Sequence, residues 1–354
     1  MTYKIKYVEG KNLHLLEKDW KELQHGKEMT LFQSYEWFQT LLKYYIPEDT
    51  NEFESCYAVV EKNDTPCIIA PLWIIKRRFR LLNQKGVYLL GRGSFSDYLN
   101  FVYYVFNADA FDCLLKDLSL RYGVKFCTFE NLKEDTSLYR HVVANYEVIV
   151  NSESPCVGLR LPCSVEEYHI ILSKNSRQNL RTAQNRLKKD GESLIYNFDD
   201  QHIDRNRCME IRESKLSVKY SQTSLYFKYK YRILNRLRYM FPGFNPIITF
   251  PDSKLMTACD KAGNLRAFFN YSYDSNKTCI RVMAAGTDLD FARYSPGMLL
   301  MYNFILNAIK EGKMKEVDFT RGDEKYKFSL GGQQRLNHTL KIRIRKQSTT
   351  LHFS

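Results

Sequence analysis

An α/β fold in two successive units, each a mixed, mostly antiparallel sheet flanked by helices, is what this sequence predicts. Three observations predict it. A β-hairpin pattern stands in each half, over 56–61 with 67–75 and over 255–259 with 265–273. Each hairpin is followed by the same order of strand, loop, helix and strand. A polar stretch ending in proline, Asn151-Ser-Glu-Ser-Pro155, lies between the two halves and reads as a linker. Hairpins pair antiparallel, whereas a strand–helix–strand connection of this length makes a right-handed parallel crossover, so both pairings occur in one sheet.

The first unit, taken as residues 1–153, opens with helical patterns over 13–23 and 34–45, and Ser34 suits the N-cap of the second. Its hairpin turns on Lys62-Asn-Asp-Thr-Pro66. A strand over 87–90, a glycine-bracketed loop over 91–98, a helix over about 108–122 and a strand over 125–129 follow. The second unit, residues 154–354, holds a basic helix over 174–189 and a hairpin turning on Lys261-Ala-Gly-Asn264. A strand over 278–286 then leads through the turn Arg293-Tyr-Ser-Pro-Gly-Met298 into a long apolar helix ending near Lys310. A strand over 315–320 comes after it. The repeat is one of element order, not of residues. The two crossover helices also start differently: the first with Phe106-Asn-Ala-Asp109, whose acid sits where an anion would bind, the second with Ser-Pro-Gly. Free amides at such a start face a concavity suited to phosphate, so only the second unit looks equipped for a phosphorylated cofactor.

Composition narrows the function classes. The chain has 354 residues, 44% hydrophobic and 26% charged, which is enough for two ordinary cores and is not a disordered balance. Its 25 Tyr and 22 Phe imply aromatic cores and cleft walls. No apolar run reaches bilayer-spanning length, and Met1-Thr-Tyr-Lys-Ile-Lys-Tyr lacks the apolar core of a signal peptide. Nine scattered cysteines without a Cys-x-x-Cys pair suggest neither a zinc ribbon nor a disulfide framework, so a cytoplasmic protein without a transmembrane segment is expected. The seven histidines show no metal-ligand spacing, and neither a Gly-x-Ser-x-Gly elbow nor a Walker loop is present. A zinc enzyme, a hydrolase triad and an NTPase are thereby disfavoured, and no metal is expected. The net charge of +13 gathers in the helix 174–189, where positions 174, 177, 181 and 188 share a face. That stripe is either a solvated face or an attraction for an anionic ligand; no helix-turn-helix, RNA-binding sheet or zinc finger accompanies it.

Several segments resemble one family. Tyr294-Ser-Pro-Gly-Met-Leu-Leu300, Val317-Asp-Phe-Thr-Arg-Gly-Asp-Glu-Lys-Tyr-Lys-Phe328, Ser176-Arg-Gln-Asn-Leu-Arg181, Gln33-Ser-Tyr-Glu-Trp37 and Ser96-Asp-Tyr98 are similar to GNAT-superfamily acyltransferases of the cellulose-biosynthesis-type acetyltransferase family. That family resembles in turn the Fem-type aminoacyl transferases, built from two GNAT-like domains in tandem. The resemblance covers most of the chain and is most specific near its C-terminal end. It departs from the wider GNAT phosphate-loop pattern, because Ser295 or Met298 fills one glycine position. It implies two tandem GNAT-like domains, the second binding acetyl-CoA or another acyl-CoA. It implies acyl transfer, of acetyl in the first instance, to an amine or hydroxyl on a small-molecule or saccharide acceptor. Cell-envelope or polysaccharide metabolism is the implied setting.

Under that reading the turn Arg293, Tyr294, Ser295, Gly297 and Met298 holds the cofactor's phosphates. The strand edge at Met283, Ala284 and Ala285 pairs with the pantetheine, and a backbone N–H at Ala284 or Ala285 polarises the thioester carbonyl. Tyr326 returns a proton to the departing thiolate, while Glu324 or Asp318 takes the acceptor's proton; Asp323 is a further carboxylate in that loop. Asp97, Tyr98, Arg177, Arg181 and Lys327 are the expected acceptor-binding residues, in a cleft between the two domains. Trp37 is expected in the core. No cysteine stands in an activated setting, so transfer is direct. Two rivals remain: Fem-type transfer from aminoacyl-tRNA, with the basic stripe on RNA, and a non-catalytic binding module on the same fold.

Overall fold

The computed structural model describes residues 2–44, 53–75, 86–91, 96–221, 250 and 252–344. Residue 45 of the second expected helix and the middle of the 91–98 loop, 92–95, lie outside the described residues. The chain divides into two compact units, Met1–Ser154 with Leu336–Ser354, and Pro155–Arg335.

The first unit runs β1 (Tyr3–Glu9), α1 (Glu17–Leu23), α2 (Tyr35–Tyr44), β2 (Phe53–Lys62), β3 (Thr65–Ile75), β4 (Gly86–Leu89), α3 (Ala108–Tyr122), β5 (Phe126–Lys133) and α4 (Ser137–Asn145). Strands β1 to β4 are antiparallel neighbours, and β5 lies parallel to β4 with Val87 opposite Cys127. The crossover between them is α3. The helix expected over 13–23 begins instead as a 3-10 segment, Gly10–Leu16, which Asn12 (φ −97, ψ 26) kinks before α1. Large aromatics fill the core, among them Trp20, Phe32, Trp37, Phe38, Tyr57, Phe111 and Phe129.

Between and beyond these come β6 (Glu147–Arg160), α5 (Val165–Ile171), α6 (Lys174–Lys189), β7 (Ile195–Asn197), α7 (Arg205–Ser221), β8 (Lys254–Cys259), β9 (Leu265–Tyr273), β10 (Cys279–Thr287), α8 (Pro296–Glu311), β11 (Glu316–Arg321), α9 (Lys325–Ser329) and β12 (Gln333–Arg343). In the second unit β7 to β10 are antiparallel neighbours, β11 lies parallel to β10, and β6 is antiparallel to β11 with Arg160 opposite Glu316. Each unit therefore has the same order: an antiparallel set, a crossover helix and a parallel strand.

Two expectations about the boundary change. The division between the units falls at Ser154/Pro155, inside the expected stretch 151–155, but that stretch is part of β6 and not a loop, in a strand whose first half exposes most of its side chains. The second unit does not run to residue 354. β12 pairs antiparallel with β5, Asn337 opposite Lys133, so the chain from Leu336 groups with the first unit.

The core that positions the site lies between α8 and one face of β8–β11. Leu299, Leu300, Met301, Phe304, Ile305 and Ala308 of α8 pack on Met256, Phe269, Tyr271, Ile280, Val282, Val317 and Phe319. Burying each such side chain contributes about 1.5–3 kcal/mol. α6 joins this core through Leu180, Ala183 and Leu187, leaving its basic face to solvent. On the opposite sheet face Cys208, Met209 and Ile211 of α7 cover Leu255, Phe268 and Ala284. All nine cysteines are free thiols. Among the described residues no helix is long and apolar enough to cross a membrane.

Candidate functional site

The site begins where two parallel strands part. β10 and β11 are in register only from Cys279 opposite Glu316 to Arg281 opposite Asp318, although they continue to Thr287 and Arg321. On its other side β10 carries an irregularity between Val282 and Ala284, which makes Met283 an extra residue and lets Ala284 face Asn270. Thr320 sits in the left-handed region (φ 58). Its amide donates to Asp318 Oδ1 (2.8 Å) and its hydroxyl to the Val282 carbonyl (2.9 Å). A side chain thus takes the acceptor that the ladder would use next, and the β10 edge at Met283, Ala284 and Ala285 is released from β11. Such an edge can pair with an extended amide-bearing ligand.

At the C-terminal end of β10 the chain turns into α8. Ser295 is its N-cap in the left-handed region (φ 50, ψ 49), makes no side-chain cap, and is followed by Pro296 at the first turn. The first helical bond runs from Leu299 N to Ser295 O (3.1 Å), so the amides of Gly297 and Met298 precede it. α3 differs: Asn107 caps it by accepting from Ala110 N at 3.0 Å. Gly297 is required by a neighbour in the protein. A β-carbon there would lie 2.9 Å from Thr287 Oγ1.

Two clamps hold this turn. Arg266 donates to Asp260 Oδ2 through Nε (2.9 Å) and Nη2 (2.6 Å), donates to Asp288 Oδ2 through Nη1 (2.5 Å), and stacks 4.7 Å from the Phe291 ring. Asp190, at the end of α6, accepts from Arg293 Nη2 (2.6 Å) and Tyr294 OH (2.7 Å), while Arg186 donates to the Arg293 carbonyl (3.1 Å). Arg293 and Tyr294 therefore fasten the turn in this structure. Burial alone would raise the Asp260 carboxyl, but hydrogen bonds from Asn264 and Arg266 and the Arg266 charge outweigh it and hold it at about 2. A depressed carboxyl adds stability that is present above its ordinary range near pH 4 and lost as pH falls through 2. The gap in unfolding free energy between wild type and Arg266→Leu should narrow over that window; a constant gap would deny the clamp its charge.

Beyond β11, Gly322 (φ 98) turns the chain, a conformation open to glycine alone at little cost. Tyr326 on α9 packs its ring between Phe269 (6.3 Å) and Phe319 (6.2 Å), against the same core as Ala285. Burial, and secondarily the charge of Glu324, holds its phenol above the ordinary value of 10.0, so it is protonated at neutral pH. Lys327 departs from expectation. It is 3% exposed, and its ammonium donates to the carbonyls of Arg321 (2.7 Å) and Gly322 (3.0 Å) and pairs with Glu324 (2.9 Å). A turn whose carbonyls have left the ladder needs a donor, and Lys327 supplies it in place of binding an acceptor. Lys327→Met should cost roughly 1–3 kcal/mol in urea unfolding, since the carbonyls of Arg321 and Gly322 lose their donor; a change within about 0.5 kcal/mol would return Lys327 to the ligand-binding candidates. Glu324 stands at the N-cap position of α9 but makes no side-chain cap bond, its carboxylate is about half exposed, and Asp323 is exposed.

Asp318 is buried and bound to Arg281 Nη1 (3.2 Å), which also reaches Cys279 Sγ (3.1 Å). Cys279, Glu316 and Asp318 bring ligand atoms within 4.8 Å of one another, yet Asp318 is paired with Arg281 and Glu316 with Arg335. Arg177 donates to the carbonyls of His169 (2.7 Å) and Leu172 (2.8 Å), closing the end of α5, whereas Arg181 is exposed. Asp97 and Tyr98 are buried in the first unit, with Tyr98 left-handed (φ 54) and its carbonyl accepting from Gln33 Nε2 (2.8 Å). Trp37 is core there and donates to Ser96 Oγ (2.8 Å). Sequence reading missed Arg266, Asp190 and Thr320. The Asp260-x-x-x-Asn264-x-Arg266 spacing across a hairpin turn is the one local signal that pointed to the first.

Residues 258–328, which span β9, β10, α8, β11 and the Tyr326 turn, match the family described as acetyltransferase (GNAT) domain. The crystal structure of FemX is similar over 95% of this chain and 96% of that one, at 10% identity and a TM-score of 0.56. The C-terminal domain (DUF2156) of a putative lysylphosphatidylglycerol synthetase from Agrobacterium fabrum is similar over 95% and 93%, at 10% identity and a TM-score of 0.50. A tandem GNAT protein from the clavulanic acid biosynthesis pathway covers 97% and 99% at 9% identity, with a TM-score of 0.47. Comparison with curated protein sequences gives no match. At these identities the likeness concerns the fold alone, an α/β chain whose second unit carries the GNAT-domain match.

Proposed function

We propose that the second unit is an acyltransferase of the cellulose-biosynthesis-type acetyltransferase family, moving an acyl group, acetyl in the first instance, from a CoA thioester to an amine or hydroxyl acceptor. The observation that carries this is the parting of β10 from β11 beside an uncapped helix start, within the stretch that matches a GNAT domain. The thioester supplies the activated acyl group. The edge at Met283, Ala284 and Ala285 pairs with the pantetheine amides, and a backbone N–H at Ala284 or Ala285 polarises the carbonyl. The amides of Gly297 and Met298, with Ser295, receive the pyrophosphate, and Arg293 and Tyr294 keep that turn in place. Tyr326 protonates the thiolate. Glu324, half exposed and able to exchange protons with water, takes the acceptor's proton. Asp318 fixes Arg281 and the Thr320 amide, which keeps the strands apart. Free thiols and a CoA donor fit a cytoplasmic protein.

Calorimetric titration with CoA, followed by release of free thiol from acetyl-CoA in the presence of cell-extract fractions, tests the reading. Failure to bind CoA would remove it. The exposed basic face of α6 favours one second reading, transfer from aminoacyl-tRNA. Salt-sensitive tRNA binding that weakens in Arg181→Gln would support it, while Arg177→Gln should lower thermal stability through the α5 end it closes.

A further inference from the structure

The last turn of α5 presents two isoleucines to solvent: Ile170 is 79% exposed and Ile171 44%. Single apolar residues scattered over a surface are ordinary, so contiguity decides whether these two mean anything. They adjoin each other, and Ile171 lies against Gly331, where a β-carbon would meet its Cγ2 at 3.0 Å. The Gly331 amide donates to the carbonyl of Phe328 (2.9 Å), whose side chain is 39% exposed, so the α9 turn borders the same patch. The Tyr168 hydroxyl, donating to the Leu330 carbonyl (3.1 Å), ties α5 to that turn. Basic groups flank the patch on the other side. Arg177 donates to the carbonyls of His169 and Leu172, which bracket the two isoleucines, and so holds them facing outward. From there α6 runs on without an Asp or Glu, and its exposed Lys174, Arg181 and Lys188 share one face. The acids of α5, Glu166 and Glu167, stand in its first turn, at the opposite end from the isoleucines.

We propose that this surface docks the protein on an anionic lipid bilayer, with Ile170 and Ile171 entering the headgroup layer while Lys174, Arg181 and Lys188 face the lipid phosphates. The charge is complementary: the stripe is wholly basic, on a chain of net charge +13. A basic stripe alone suits any polyanion, RNA included. The isoleucines discriminate between the two. Nucleic-acid surfaces reward aromatic stacking and phosphate contacts, whereas an aliphatic side chain gains by leaving water for hydrocarbon. Apolar insertion and attraction to anionic headgroups add, and a weak insertion holds only when the second signal accompanies it. Such docking is peripheral and asks for no spanning helix. It goes beyond the acyl-CoA reading and does not depend on it.

Co-sedimentation of the full chain with vesicles tests it, using phosphatidylcholine alone and equal parts of phosphatidylcholine and phosphatidylglycerol. Wild type should bind the mixed vesicles about tenfold or more tightly than the neutral ones, and added salt should weaken that binding. Ile170→Gln should lose about fivefold in affinity for the mixed vesicles, and Arg181→Gln/Lys188→Gln at least as much. Ile170→Trp should instead tighten binding, because indole favours the membrane interface. The Ile170 side chain lies mostly in water, so both of its variants should keep the wild-type thermal midpoint, and opposite effects on binding cannot come from a damaged fold. Equal binding to the two kinds of vesicle, or no binding to either, overturns the proposal. So does binding that follows the basic side chains alone, with tRNA displacing the vesicles and both Ile170 variants matching wild type; the stripe then belongs to RNA.

Discussion

Tyr326→Phe should lower kcat by about 10²-fold or more and leave CoA affinity near wild type, because it removes one proton donor and nothing else. The ring lies between Phe269 and Phe319, and phenylalanine fills the same space. Burial raises the phenol, which makes it a weaker acid than in water. The thiolate it serves is an anion in the same apolar surroundings and is raised for the same reason, so the transfer is not uphill by the full shift. The elevated phenol also sets the form of the pH profile. Tyr326 stays protonated through the neutral and mildly alkaline range, so no loss of rate there should trace to its ionisation. An enzyme with full kcat after Tyr326→Phe would sink the assignment and leave water as the proton source. Glu324→Gln should act separately, depressing the rate most at low pH, where the acceptor is hardest to deprotonate.

What could be read in advance was what is local. The helix start at Ser295-Pro296-Gly297 announces itself because proline's fixed φ suits a first helical turn and glycine lacks a β-carbon, whereas the left-handed conformation of Ser295 has no sequence signal. The hairpins over 56–75 and 255–273 are legible for the same reason: their turns and alternation are contiguous. The basic helix over 174–189 is legible because its buried positions recur at helical spacing. What escaped reading depends on partners far along the chain. Arg266 meets Asp288, Asp190 meets Arg293, and β12 pairs with β5; no local pattern encodes those pairings. Lys327 shows the same limit in one side chain. A lysine in a polar run reads as exposed, and only the carbonyls released at the end of β11 draw it inward.

Replacing Gly297 should separate affinity from stability. Its φ is an ordinary helical one, so alanine there carries no backbone strain, and its helix propensity, about 0.5–1 kcal/mol over glycine, offsets part of the cost of the contact it makes. The obstacle is Thr287 Oγ1, which a new β-carbon would meet at 2.9 Å. Thr287 is the last residue of β10, so relieving that contact pushes the start of α8 away from the strand that carries Met283, Ala284 and Ala285. The Gly297 and Met298 amides then no longer meet the pyrophosphate while the pantetheine is paired, and one rigid ligand cannot satisfy both. CoA affinity should fall by about tenfold in Gly297→Ala, equivalent to about 1.4 kcal/mol, and further in Gly297→Val. The compensating change is specific. Thr287→Ala removes the opposing oxygen, so Gly297→Ala/Thr287→Ala should recover most of the affinity, a coupling that distant, independent sites would not show. Calorimetric titration of the folded variants measures each corner of that cycle. Wild-type affinity in Gly297→Val would take the turn out of the site, and a double variant no better than Gly297→Ala would place the obstruction elsewhere.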